Sequence, residues 1–260
     1  MAFSGFHHIA ICTRDMKAQI EFFTQVVGLP LVGLYPLHSG KGDSTFHCFI
    51  RIGADAYLSF VQFPGHEVEP VPGVSHATSV RGAVADGAMQ HIAIHVDSRA
   101  ELLALRDRLR ANNCIVVGPA DHGICESMYL GAPEGILLEF VATEGFLPVH
   151  PDTSIDADQT ARCGMTPEDV ARYVHPPAFA SRGGAVPQPD RWSGRYPTPI
   201  PPQMLDQVYG MPDEQVFRFF LNRPEAMPAP GYAAPSSPAS AASTTSRDSV
   251  GAKVSMKANT

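Results

Sequence analysis

At 260 residues the chain is long enough for one large domain or two small ones, and its 44% apolar content supports a packed core over part of that length. A net charge of −7 excludes a broad basic face for nucleic acid, and there is no apolar run of about 18 residues to span a bilayer. Five cysteines with no CxxC pair exclude a disulfide framework or a Cys-ligated zinc site and point to the reducing cytoplasm.

The N-terminus, MAFSGFHHIAICTRD, lacks a basic region followed by an apolar stretch, so no secretory signal is expected. Phe6-His7-His8-Ile9-Ala10-Ile11 reads as a short strand. Asp15 is placed to cap a helix over 16–27, ended by Gly28. Strands follow near 29–35, 45–52 and 56–63. The pattern then repeats. Met89-Gln90-His91-Ile92-Ala93-Ile94 echoes the first strand, with His-Ile-Ala-Ile identical at an offset of 83 residues. Ser98 caps a helix over 99–111 with Leu102, Leu103, Leu105 and Leu109 near helical spacing. Strands near 114–117, 126–130 and 136–142 close the second unit, the last two joined by an Ala-Pro-Glu-Gly turn at 132–135. The expected fold is α+β: two tandem βαβββ modules, about 5–63 and 88–143, within a domain of 5–143. Their sheets are expected to close side by side into one incomplete barrel.

After residue 145 the composition turns proline-rich. Residues 146–224 are expected to form a proline-rich arm lying over the sheet or over a partner subunit of a homo-oligomer. It holds two short helices. One opens at Thr166-Pro167 and runs to about Tyr173. The other opens at Pro212-Asp213 and runs through Phe220, with Val216, Phe217, Phe219 and Phe220 needing a surface to pack on. Residues 225–260, rich in Ala, Ser, Pro and Thr, bury too little apolar surface to offset their ordering entropy and are expected to be disordered.

Alternation along the strands puts His8 with Ala10 and Cys12, and His91 with Ala93 and His95, on faces opposite the isoleucines. In the last strand, Glu139 interrupts an apolar run, Ile136-Leu137-Leu138-Glu139-Phe140-Val141. Such a carboxylate is costly to bury without a cation or metal. Two histidines and a carboxylate with open positions make a facial triad. His8, His91 and Glu139 are therefore the expected metal ligands.

These features together resemble the vicinal oxygen chelate superfamily. The residues concerned are the paired His-Ile-Ala-Ile strands, the stretch from Ala120-Asp121-His122-Gly123 to Ser127-Met128-Tyr129-Leu130, the Ala132–Gly135 turn, and Leu138-Glu139-Phe140. The second half is similar to catechol 2,3-dioxygenase-like members. In the family the ligands come from the first and last strands of each module, here His8, Ser59, His91 and Glu139. Four-ligand members such as glyoxalase I place Glu or Gln where Ser59 stands, so the resemblance favours the three-ligand classes. It also implies that Tyr129, ten residues before Glu139, contacts substrate and assists proton transfer. His95 and His122 are the candidate substrate-binding residues. The implied function is a non-haem Fe(II) extradiol dioxygenase acting on a catechol or a related small molecule with O2. Mn(II), Ni(II) or Zn(II) also suit the ligand set. The alternatives are a glyoxalase-like lyase or thiol transferase of the same fold, or a metal-free binding protein of the bleomycin-resistance type.

Overall fold

The computed structural model describes residues 3–37, 44–180, 183, 186–190 and 194–219. The repeat seen in the sequence is a repeat of structure. In the first unit, β1 (His8–Cys12) leads to helix α1 (Met16–Glu21), which widens into a π-helical turn over Phe22–Val27. Strands β2 (Leu31–Pro36), β3 (Phe46–Arg51) and β4 (Tyr57–Gln62) follow. In the second unit, β5 (Ile92–His95), α2 (Arg99–Ala111), β6 (Val117–Asp121), β7 (Glu126–Gly131) and β8 (Leu137–Ala142) take the same order. Each unit makes one four-stranded mixed sheet, β1-β4-β3-β2 and β5-β8-β7-β6. Only the first and last strands of each unit pair in parallel. That pairing needs a crossover, which the helix begins and the meander completes.

The helix starts follow from local chemistry. Asp15 Oδ1 accepts from the Ala18 N–H at 3.0 Å and Ser98 Oγ from the Glu101 N–H at 3.2 Å. The first helix ends at Gly28, whose φ of 101° is a left-handed conformation that favours glycine. A Cβ there would also lie 3.0 Å from the Arg108 guanidinium. Arg108, on α2, donates to the carbonyls of Val26 and Gln25, both at 2.8 Å, and so ties the two units together at a helix C-terminus.

The core lies on the helix side of both sheets. Phe23, Ile50, Leu58 and Phe60 from the first unit join Leu102, Leu109, Leu138 and Phe140 from the second in one cluster. The isoleucines behave as alternation requires. Ile92 and Ile94 are buried, while Ala93 and His95 between and beside them are exposed. On β1, His8, Ala10 and Cys12 are exposed and Ile9 and Ile11 are half-buried against the core. The far faces of the two sheets are therefore open.

Two expectations shift. The strand expected at 114–117 lies at Val117–Asp121, because its ladder to β7 resumes beyond Gly118-Pro119, pairing Ala120 with Ser127 and Asp121 with Glu126. In the arm, the two expected helices are present as α5 (Pro167–Val174), with a full Thr166–Asp169 capping box, and α7 (Asp213–Phe219). Among the described residues three more accompany them: α3 (Pro151–Ser154), α4 (Ala157–Arg162) and α6 (Pro202–Val208). Val208 is buried, whereas Leu147, Val149, Tyr173, Phe179 and Tyr196 are exposed. Phe220 and the segment 225–260 lie outside the described residues.

Candidate active site

The register of the two sheets makes the internal symmetry explicit. Ala10 pairs with Ser59 across β1 and β4, and Ala93 pairs with Glu139 across β5 and β8. Ser59 and Glu139 are thus equivalent positions. Tyr129 stands opposite Glu139 on β7.

Glu139 is 7% exposed. A carboxylate so placed needs partners, and it has one for each oxygen. Oε2 lies 2.8 Å from His91 Nε2, and Oε1 accepts from the Tyr129 hydroxyl at 3.1 Å. The Tyr129 hydroxyl in turn lies 2.8 Å from His122 Nε2. His91, Glu139, Tyr129 and His122 form one continuous hydrogen-bonded chain across the open face. Burial pushes the Tyr129 hydroxyl pKa up, and the negative charge of Glu139 adds to the shift. The phenol is held as an O–H donor. On its other side, His91 Nδ1 meets the Gln90 side-chain oxygen. The Gln90 amide nitrogen is fixed by the carbonyls of Ser79 at 3.1 Å and Gly82 at 3.3 Å. The loop before β5 therefore orients His91 through Gln90.

The other expected site residues are placed differently. His95 shares the open face, but its Nε2 bonds to Thr143 Oγ1 at 3.0 Å. His8 is not part of the His91–Glu139 cluster. Its Nδ1 lies 2.8 Å from His7 Nδ1, and its ring packs edge-on to Phe49, 5.6 Å between centroids. Among the described residues no three His, Cys, Asp or Glu side chains converge as a set that could hold a metal ion. His91 and Glu139 offer one nitrogen and one oxygen donor side by side, so one chain by itself presents two of the three expected ligands.

Two features were not visible in the sequence. The open face of the first sheet carries an aromatic cluster in which Phe49 contacts Tyr35, His47 and Tyr57 at centroid distances of 5.8, 4.9 and 5.9 Å. Burial lowers the His47 pKa, His8 lowers it further, and among the described residues its buried Nε2 has no hydrogen-bond partner. The second feature is a cavity of about 440 Å³ whose wall includes His91, Cys12, Met89 and Leu137. Phe63, Val68 and Pro70 of the segment joining the units also line it, and no motif in that segment announces it.

A family model, the Glyoxalase/Bleomycin resistance protein/Dioxygenase superfamily, matches residues 5–140. That is more than half of the chain, and the chain belongs to this superfamily. It is similar to a glyoxylase/bleomycin resistance protein/dioxygenase domain from Frankia sp. EAN1pec, at 15% identity over 55% of this chain and 99% of that one, TM-score 0.42. Glyoxalase I of Leishmania major aligns at 17% identity over 55% of this chain and 88% of its own, TM-score 0.40. TnmS3, an antibiotic binding protein from Streptomyces sp. CB03234, aligns at 19% identity over 55% and 98%, TM-score 0.39. No curated protein matches the chain. Among the described residues no helix is long and apolar enough to cross a membrane.

Proposed function

We propose that this chain is an iron(II)-dependent ring-cleaving dioxygenase for a catechol or a related substrate with two adjacent oxygens. The observation behind this reading is the buried Glu139 carboxylate, held between His91 and the protonated Tyr129 hydroxyl on an open sheet face. His91 and Glu139 would hold the ion together with His8 from a second copy of the chain, since His8 is exposed at the repeat position equivalent to His91. When bound, iron(II) supplies the redox centre and charge sink that ring cleavage needs. The protein's own part is positional. Gln90 fixes the His91 ring, Glu139 fixes the Tyr129 hydroxyl, and His122 meets that hydroxyl from the solvent side. With its proton directed at Glu139, the Tyr129 hydroxyl offers an incoming substrate hydroxyl an acceptor oxygen already in place.

The test is anaerobic loading with Fe(II), then O2 uptake against a panel of catechols. Uptake with at least one diol is expected. Absence of uptake with every diol, from protein shown to contain metal, overturns the reading. Metal-dependent hemithioacetal isomerisation in the same preparation would move the assignment to a glyoxalase-like lyase. The largely apolar cavity of about 440 Å³ beside His91 would equally serve a non-catalytic small-molecule binding protein. Tight binding of a small molecule with no metal uptake is the outcome that reading requires.

A further inference from the structure

The cavity beside His91 owes much of its wall to the segment between the units rather than to the strands that carry the catalytic candidates. Phe63, Val68 and Pro70 come from that segment and face Met89, Ile136 and Leu137. A largely apolar space of about 440 Å³ falls in the range of small-molecule sites and suits a substituted ring.

Its charge is lopsided. Counting only Arg, Lys, Asp and Glu, the lining holds three carboxylates, Glu67, Glu69 and Glu134, against one guanidinium, Arg14. That guanidinium is already engaged. Arg14 Nη1 and Nη2 donate to the two oxygens of Glu69 at 3.0 and 2.9 Å, a bidentate pair. Glu134 is held by the Arg14 backbone N–H and the Gln19 amide, both at 2.8 Å. Glu67 accepts from the Gly65 N–H at 3.0 Å, and among the described residues no salt bridge neutralises it. An incoming carboxylate meets surplus negative charge and a cation that is already taken. An incoming ammonium meets the reverse.

We infer that this cavity selects ring substrates bearing a cationic substituent and turns away those bearing a carboxylate. The inference rests on the dioxygenase reading only for the identity of the ring diol. Three catechols of nearly equal size separate the cases: dopamine with an ammonium, hydroxytyrosol with a hydroxyl, and homoprotocatechuate with a carboxylate. Each is titrated by equilibrium dialysis into the full chain under argon, as purified and after Fe(II) loading. Dopamine is expected to bind roughly tenfold more tightly than homoprotocatechuate, with hydroxytyrosol between them. The gap should narrow as salt is raised. Glu67→Gln should shrink the preference for dopamine. Glu69→Gln should release Arg14 and raise the affinity for homoprotocatechuate. Both side chains are at the surface, and circular dichroism confirms that the variants are folded. Carboxylate binding as tight as dopamine binding, an order unchanged in both variants, or no saturable binding of any of the three overturns the inference. Turnover plays no part in this assay, so a failed O2 measurement counts against the dioxygenase reading alone.

Discussion

Glu139 sits between Leu138 and Phe140, both buried in the core, yet its own side chain turns to the open face. A carboxylate almost out of water is stabilised only by the groups that meet it, and here they are few and specific. Tyr129 is the one that can act on a substrate as well. With its pKa pushed up by burial and by Glu139, the phenol keeps its proton at neutral pH and works as a donor. Tyr129→Phe keeps the ring and its packing and removes only the hydroxyl. Under the dioxygenase reading, turnover should fall by roughly 10²-fold, in the range of a lost proton-transfer partner. Metal content should not change, because His91 still meets Glu139. An O2 electrode and elemental analysis on the same preparations decide the matter. Unchanged turnover would make Tyr129 a packing residue. The family resemblance pointed to this tyrosine, but its link to His122 depends on the fold of the loop between β6 and β7.

At the level of elements, the turn between β7 and β8 fastens the second unit to the start of α1. Glu134, with a left-handed φ of 59°, points its carboxylate at that helix start. Burial raises the Glu134 pKa, but hydrogen bonds from Thr13, the Arg14 backbone, Gln19 and the Asp15 backbone outweigh it, and the net shift is downward. The sign follows directly. The folded state binds this proton less readily than the unfolded chain, so the contribution is complete above the ordinary carboxylate range. It is lost as pH falls through the depressed folded value. Glu134→Gln should therefore cost about 1 kcal/mol near neutral pH, allowing for solvent screening of this half-buried carboxylate, and less in acid. Urea midpoints across the acid range check it, and parallel curves for the two proteins would contradict it. This latch was read from the sequence only as a turn, because its partners lie more than a hundred residues away. Local signals fared better. The Asp15 and Ser98 caps, the glycine stop and the alternation on β1, β5 and β8 all depend on neighbours a few residues off. The π-helical turn at Phe22–Val27 did not show. It is fixed where Gly28 and Leu29 both donate to the Phe23 carbonyl and Arg108 arrives from the other unit. The aromatic cluster was equally hidden, since Tyr35, His47 and Tyr57 meet Phe49 only through the register of three strands.

At the scale of the whole molecule, the repeat revealed that His8 and His91 are equivalent, not that they face each other. Helices α1 and α2 pack to one shared core, and the opposite sheet faces carry His8 on one and His91 and Glu139 on the other. If metal is held as proposed, each site takes His8 from one copy and the His91–Glu139 pair from another. Two-fold symmetry then builds two identical sites in a dimer. The consequence can be tested with variants that are inactive alone. His8→Ala lacks the first contribution and Glu139→Ala lacks the second. In a mixed dimer, one site loses both contributions and the other keeps both intact. Random pairing at equal amounts makes half the dimers mixed, so about one quarter of wild-type turnover should return on co-refolding the two variants. If all three ligands belonged to one chain, every site in the mixture would lack one of them. The mixture would then be as inactive as its components. Sedimentation on the same samples shows whether mixed dimers formed, so a negative result from properly paired chains would overturn the sharing of ligands between copies.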